Sequence, residues 1–416
     1  MFHQLSAVTE LSFLEEPLKR PDLWGPLAER YSKPGPRKLL ALDGGGIRGL
    51  ITLGFLARLE SLLATARGAD ESFRLCDYFD YIGGTSTGAI IAACLAIGMS
   101  VKEVESFYVT VGPQMFEPSE LLHRLSSLYK ADPLQAKLEA TFGAARDLMP
   151  ANLRCLLMVV TRNVTTDSPW PISSNPEGRY NDPARADCNL RVPLWKIVRA
   201  STAAPIYFPP ETVNWDSTDA RKTFTFVDGG VTPYNNPAFL LYRMATHPSY
   251  QLGWPQGEPN LLVVSIGTGA ANTPSFKQSI NIAANLTSLP GTLMYGMQVD
   301  QDINCRVAGR CTYGDLIDRE IRDLTCREID EPCTMEAWMA AAHTPLSRDL
   351  GRAFLYTRYN AELTQDALNA LGLTDIEAAK VQKMDAVDQI DNLIRVGQAS
   401  AAAQVDLAHL GEFVKL

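Results

Sequence analysis

The sequence predicts an α/β protein: three layers, α/β/α, around a mostly parallel central sheet, with additional helices in its C-terminal part. Three observations carry that expectation. Over the first hundred residues apolar strands and helical stretches alternate as β-α-β-α, which makes successive strands parallel and lays helices on the faces of the sheet. Several strands stop at glycine-rich loops, which puts a cleft at the carboxyl edge of the sheet. The chain has 416 residues, 46% of them hydrophobic, enough to bury a large core.

Residues 1–36 read as an N-terminal leader, punctuated by Pro17, Pro21, Pro26, Pro34 and Pro36, with one short helix around Trp24 to Tyr31. Met1 to Leu18 lacks a basic stretch followed by an apolar run, so no signal peptide is expected. The core begins with the strand Arg37–Asp43, passes a glycine loop, and continues as a helix from Leu50 to Ala66. A strand over Phe79–Gly83 and a buried helix over Ala89–Ile97, closed by Gly98, repeat the unit. From Val101 to Gly143 the pattern is helical. Within it, Ser119–Tyr129 sets Leu121, Leu122, Leu125 and Leu128 on one face, either packed on the core or serving as a lid or membrane-facing flap. Leu153–Thr161 reads as a strand, 163–189 as loop and Pro193–Ala200 as helix. Thr223–Asp228 and Leu261–Ile266 are strands that end at glycine turns. Beyond about 270 the chain reads as mostly helical with weak strand signal. The expected domains are the leader 1–36, a core 37–270, and a mostly helical extension 271–416 packed on it.

The formal net charge is -9 and no basic stripe is visible, which argues against a nucleic-acid partner and against electrostatic capture by an anionic bilayer. The longest fully apolar run, Ala89–Ile97, is too short to span a bilayer. The expectation is a soluble, cytoplasmic chain that meets membranes only at their surface. Its 8 cysteines are scattered without a C-x-x-C, as reduced thiols are. Cys305, Cys311, Cys326 and Cys333 cluster, but their loose spacing favours ordinary thiols over a zinc site.

The chemistry is carried by three short motifs. Gly84-Thr85-Ser86-Thr87-Gly88, between a strand and a helix, has the form of a nucleophile elbow: a sharp turn lifts the serine hydroxyl out of the sheet, and the helix behind it aims free N–H groups at an oxyanion. Alone, those letters are also a tight turn with an idle serine. Asp43-Gly44-Gly45-Gly46-Ile47-Arg48-Gly49 can point several backbone N–H groups into one concavity, with Arg48 adding a positive charge. The same letters satisfy G-x-G-x-x-G at Gly44, Gly46 and Gly49; a dinucleotide site, however, wants an acidic residue at the end of the next strand, and that strand delivers Ser86 instead. The third motif, Asp228-Gly229-Gly230, places a carboxylate at a strand end, where an ordinary Asp-Gly turn is the plainer reading. An α/β-hydrolase would next supply a histidine. Neither His247, His343 nor His409 lies in a glycine-framed loop at a strand end, and with His3 and His123 all five read as ordinary histidines.

Taken together and in order, the three motifs resemble those of the patatin-like phospholipase family, its bacterial members included. Further stretches are similar to that family: Arg199-Ala200-Ser201-Thr202-Ala203-Ala204-Pro205 with Tyr207-Phe208-Pro209, the run from Asp228 to Asn235-Asn236-Pro237, and Ser265-Ile266-Gly267-Thr268-Gly269. The match covers about residues 37 to 270; beyond it, Tyr356-Thr357-Arg358-Tyr359-Asn360 and the helical tail look like the extensions of bacterial members. The resemblance implies a Ser-Asp dyad with Ser86 as nucleophile and Asp228 as its partner. It implies an oxyanion site lined by Gly44, Gly45, Gly46 and Arg48, framed by Gly49, Gly84, Gly88, Gly229 and Gly230. It implies hydrolysis of acyl esters of phospholipid or other acyl lipid through an acyl-enzyme, with no metal or organic cofactor. A storage role and a regulated, membrane-damaging effector role are the family's other possibilities.

Overall fold

Strand β1 (Arg37–Leu42) is buried along its whole length, and the alternation of its side chains divides the core in two. Leu40 and Leu42 join a cluster with Ile82, Leu157, Val159 and Val264 on one face; Leu39 and Ala41 join Tyr81, Leu156, Met158 and Val263 on the other. In this computed structural model the described residues are 20–115, 132–205, 207–271, 282–314 and 351–415. Residues 1–19, the stretch Ser119–Tyr129, Cys326, Cys333, His123 and His343 lie outside them.

The sheet has nine strands among the described residues. After β1 come β2 (Tyr81–Thr85), β3 (Leu156–Asn163), β4 (Ser168–Ser173), β5 (Glu211–Asn214), β6 (Thr223–Asp228), β7 (Leu261–Ile266), β8 (Arg310–Tyr313) and β9 (Leu355–Tyr359). Their order is β5-β6-β3-β2-β1-β7-β9-β8, with β4 also paired to β3. The pairs β3/β2, β2/β1, β1/β7, β7/β9 and β9/β8 are parallel. Only β4, β5 and β6 run against their neighbours. On the first face lie α1 (Gly49–Ala66), α2 (Thr87–Ala96), α3 (Val101–Met115) and α4 (Leu194–Ser201). On the second lie α5 (Ala238–Thr246) and the end of α6 (Ile282–Ala308); α7 (Ile390–Gln404) returns to the first and packs along α1. This is the α/β/α arrangement expected, with the extra C-terminal helices in place.

Several details depart from the sequence reading, each for a physical reason. The short helix expected around Trp24 to Tyr31 is broken into turns over 21–32 and is part of the core: Trp24 and Tyr31 are fully buried in the second core half, and the Tyr31 hydroxyl donates to the Asp80 carbonyl at 2.6 Å. The expected loop 163–189 contains β4. Pro169 and Pro171 suggest loop, but β4 is a peripheral strand off the main path, where a missing N–H costs no ladder bond on its open side. Trp170 from β4 packs among Trp215, Phe224 and Phe226. Beyond 270, β8 and β9 complete one side of the sheet. They run only four and five residues, too short for a periodicity to declare itself. Gly46–Ala66 is long and apolar enough to cross a membrane, yet it is buried against the sheet from Gly49 to Leu63 on its inner side.

Candidate active site

Ser86 sits between the last residue of β2 and the first of α2, with φ 54° and ψ -122°. Positive φ at a non-glycine residue is sterically costly and survives only where the surroundings impose it. Here they do. The Ser86 N–H donates to Ser201 Oγ at 2.9 Å, and Ser201 in turn donates to the Val160 carbonyl at 2.6 Å. Thr85 Oγ1 donates to the Tyr234 carbonyl at 2.6 Å, and the Tyr108 hydroxyl lies 2.5 Å from Thr87 Oγ1. Gly84 and Gly88 let the two arms of the turn touch, because a Cβ on Gly84 would overlap the Gly88 carbonyl. The hydroxyl of Ser86 is thus carried on a rigid corner at the N-terminus of a buried helix.

Sheet register brings the aspartate to it. On β3, Val160 pairs with Thr85 and the next residue, Thr161, pairs with Asp228. The ends of β2 and β6 therefore meet, and Ser86 Oγ donates to Asp228 Oδ2 at 2.5 Å. Asp228 Oδ1 accepts the Gly230 N–H at 2.6 Å, while Gly229 lies against the Val160 carbonyl. Asp228 is 4% exposed. Burial pushes its pKa up to about 6; the Ser86 hydroxyl, the Gly230 amide and the Arg199 charge pull it partly back.

The glycine loop runs from the end of β1 to α1, which begins at Gly49. The oxyanion role expected of Gly44 does not fit the geometry, because its N–H is already bonded to the Asn235 carbonyl at 3.1 Å. The amides of Gly45 and Gly46 have no acceptor among the described residues. Gly46 has φ 62°, and the following amide, Ile47 N–H, donates to the Met384 carbonyl at 2.9 Å. Arg48 is half-buried; its Nε reaches the Gly45 carbonyl at 3.4 Å, and among the described residues it has no ion-pair partner. Burial lowers its pKa to about 10, with Tyr207 and Asp43 opposing, so it stays cationic near neutrality. Asp43 is committed elsewhere: Arg358, from β9, grips both its oxygens at 2.9 and 2.6 Å, and both side chains are at most 2% exposed.

The structure brings Ser86 onto Asp228 and sets Gly44 beside Ser86, with Gly45, Gly46 and Arg48 following on the same loop. Four supporting residues escaped the sequence reading: Ser201, Asn235, Arg358 and Met384. Ser201, Asn235 and Arg358 stand in stretches noted there for resemblance alone; Met384 acts through its carbonyl, which no side-chain pattern announces. Of the described histidines, His247 accepts the Ser249 N–H in an exposed turn. His409 stacks on Tyr313 and contacts the Tyr359 hydroxyl; burial lowers its pKa. Neither touches Ser86 or Asp228. Among the described residues no three His, Cys, Asp or Glu side chains converge as metal ligands.

The sequence profile of patatin-like phospholipases matches residues 40–242. Patatin-17 of Solanum cardiophyllum is 30% identical over 275 residues, which cover 63% of this chain and 68% of that protein. The chain belongs to the patatin-like phospholipase family. Other proteins similar to it are patatin-like protein 4 of Arabidopsis thaliana, 31% identical over 59% of this chain and 62% of that one, and a cGAMP-activated phospholipase of Vibrio cholerae, 33% identical over 49% and 56%. The chain thus spans between about half and two-thirds of the length of these curated relatives. Within the patatin-like fold, the matched segment holds the elbow, the glycine loop and the aspartate. Thr268, Arg358 and Met384 lie outside it.

Proposed function

We propose that this patatin-like chain is a lipid acyl hydrolase of phospholipase A type that works by a Ser86-Asp228 dyad. The observation that carries the reading is the 2.5 Å hydrogen bond from Ser86 Oγ to Asp228 Oδ2 on a positive-φ elbow. Ser86 Oγ attacks the ester carbonyl carbon and its proton passes to Asp228 Oδ2. The carbonyl oxygen takes the displaced electron pair and is held by the Gly45 and Gly46 amides near the Arg48 charge. Collapse expels the alcohol, which leaves with the proton from Asp228, and an acyl-Ser86 ester remains. Asp228 then takes a proton from water, the hydroxide attacks the acyl carbon, and a fatty acid departs as Ser86 recovers its proton. A carboxyl with a pKa raised to about 6 suits both halves: it is a stronger base than an ordinary aspartate, yet still ionised at neutral pH.

The substrate is a glycerophospholipid or a similar acyl lipid, met at a membrane surface from the cytoplasm; family membership supports the lipid class. A second reading, a regulated effector that damages membranes when switched on, is favoured by the likeness to a cGAMP-activated phospholipase. The decisive experiment is purified wild-type and Ser86→Ala protein incubated with mixed phospholipid vesicles, with released fatty acid and lysophospholipid measured by mass spectrometry. Release by the wild type alone is the expected result. Equal release by a folded Ser86→Ala protein refutes the dyad.

A further inference from the structure

The Gly44–Gly45 peptide is gripped by two residues from distant parts of the chain. Thr268, just past β7, donates its Oγ1 proton to the Gly44 carbonyl at 3.0 Å. Asn235 Nδ2 approaches the same oxygen at 3.5 Å, while the Asn235 carbonyl takes the Gly44 N–H at 3.1 Å. Thr268 and Asn235 are 2% and 1% exposed, so the grip lies away from bulk water. Gly45 rests directly on Thr268: a Cβ added there would meet Thr268 Cβ at 2.6 Å and Cγ2 at 2.9 Å.

The peptide is trans, so its C=O and N–H point in opposite directions. With the Gly44 carbonyl bound to Thr268, the Gly45 N–H points away from that hydroxyl, and it has no acceptor among the described residues. Rotation of this one peptide would turn the N–H onto Thr268 and present a carbonyl oxygen, a repulsive dipole, where the N–H had been. Flanking glycines impose little steric barrier to such a rotation. An orientation that matters for chemistry therefore needs a lock from outside the loop.

We propose that Thr268 is a positioning residue for ester hydrolysis: its hydroxyl locks the Gly44–Gly45 peptide so that the Gly45 N–H faces the oxyanion formed on the carbon that Ser86 attacks, with Asn235 as a second brace. This rests on the oxyanion reading given above.

The test compares Thr268→Val, which removes the hydroxyl and keeps the volume, with Thr268→Ser, which keeps the hydroxyl. Loss of one such hydrogen bond predicts a fall in kcat on the order of tenfold for Thr268→Val, with KM unchanged and Thr268→Ser near wild type. A long-chain alkyl trifluoromethyl ketone, which forms a hemiketal oxyanion on a serine, supplies the second readout: its affinity should fall in Thr268→Val by the same factor as kcat/KM. If Thr268→Val does not fold, Thr268→Ala asks the same question. Wild-type kcat and ketone affinity in the hydroxyl-less variant overturn the proposal. So does a rise in KM alone, or an equal loss in Thr268→Ser, which would mean packing rather than the hydroxyl. If the wild-type enzyme binds the trifluoromethyl ketone no better than the methyl ketone of the same chain length, the oxyanion reading itself fails. If that preference exists and is undiminished in Thr268→Val, the role of Thr268 alone falls.

Discussion

Replacing Asp228 by Asn should make the protein more stable and nearly inactive, and the size of the first effect follows from burial. Holding this carboxyl at about 6 instead of the ordinary 3.8 is worth about 3 kcal/mol. The sign is against the working enzyme. A raised pKa means that the folded state favours the protonated form. That contribution is fully present below about pH 4 and is lost as pH rises through about 6. At pH 7.5 the wild type carries an ionised carboxylate in a dry site. The Asp228→Asn variant would carry no charge there, and the new amide can accept from Gly230 N–H and donate to Ser86 Oγ, the two groups that Asp228 now binds. Urea unfolding at pH 7.5 should show Asp228→Asn more stable by up to about 3 kcal/mol, and the gap should close toward pH 4. Over the same range kcat/KM of the wild type on a soluble ester should rise with pH along a limb centred near 6, whereas the variant should lose about 10²- to 10⁴-fold in rate. Equal stability of the two proteins at pH 7.5, or a wild-type profile flat down to pH 4.5, refutes the argument.

Other substitutions separate the supporting roles. Arg48→Ala should lower kcat by about 10²-fold with little change in KM, as loss of a group acting on transition-state charge does; a rise in KM alone would assign Arg48 to ground-state binding. Arg358→Met should cost about 3–5 kcal/mol in denaturant unfolding, because it strands a buried Asp43, and the double variant Asp43→Asn/Arg358→Gln should recover much of that loss; no recovery would show that the pair is not the relevant contact. His247→Gln and His409→Gln should each keep most activity, since neither ring touches the dyad, and loss of hydrolysis in either folded protein would point to a Ser-His-Asp triad instead.

The parts of the fold that read clearly from sequence are those where one local rule suffices. β1 and β7 are short apolar runs that stop at a glycine loop, β2 is a short run that passes through Gly83 and Gly84 to Thr85, and each appears within a few residues of its expected place. The elbow was legible because strand, G-x-S-x-G and buried helix follow one another without a break. That Asp228 reaches Ser86 rests on the register of β3, which pairs Val160 with Thr85 and Thr161 with Asp228; register is a tertiary fact and leaves no mark on either motif. Gly44 shows the limit in the other direction. Three consecutive glycines look equivalent as letters, but the Asn235 carbonyl, nearly two hundred positions away, consumes one of the three amides. β4 was hidden by its prolines, and the Asp43–Arg358 pair by a separation that no pattern of spacing can bridge.

That last separation bears on synthesis. Ser86 and Asp228 leave the ribosome well before Thr268, Arg358 and Met384, the residues that hold the glycine loop from outside. At roughly 5–20 residues per second, the interval between Asp228 and Met384 is about 8 to 30 seconds. Through that interval a nascent chain has both members of the proposed dyad and the Asn235 brace, and gains Thr268, Arg358 and Met384 only one after another. A chain stalled or cut short after residue 240 would keep its serine, its carboxylate and Asn235, and lack the three later residues that hold the glycine loop and Asp43. The arrival of Met384, rather than the appearance of Ser86, is then the event that would complete the frame of the proposed site.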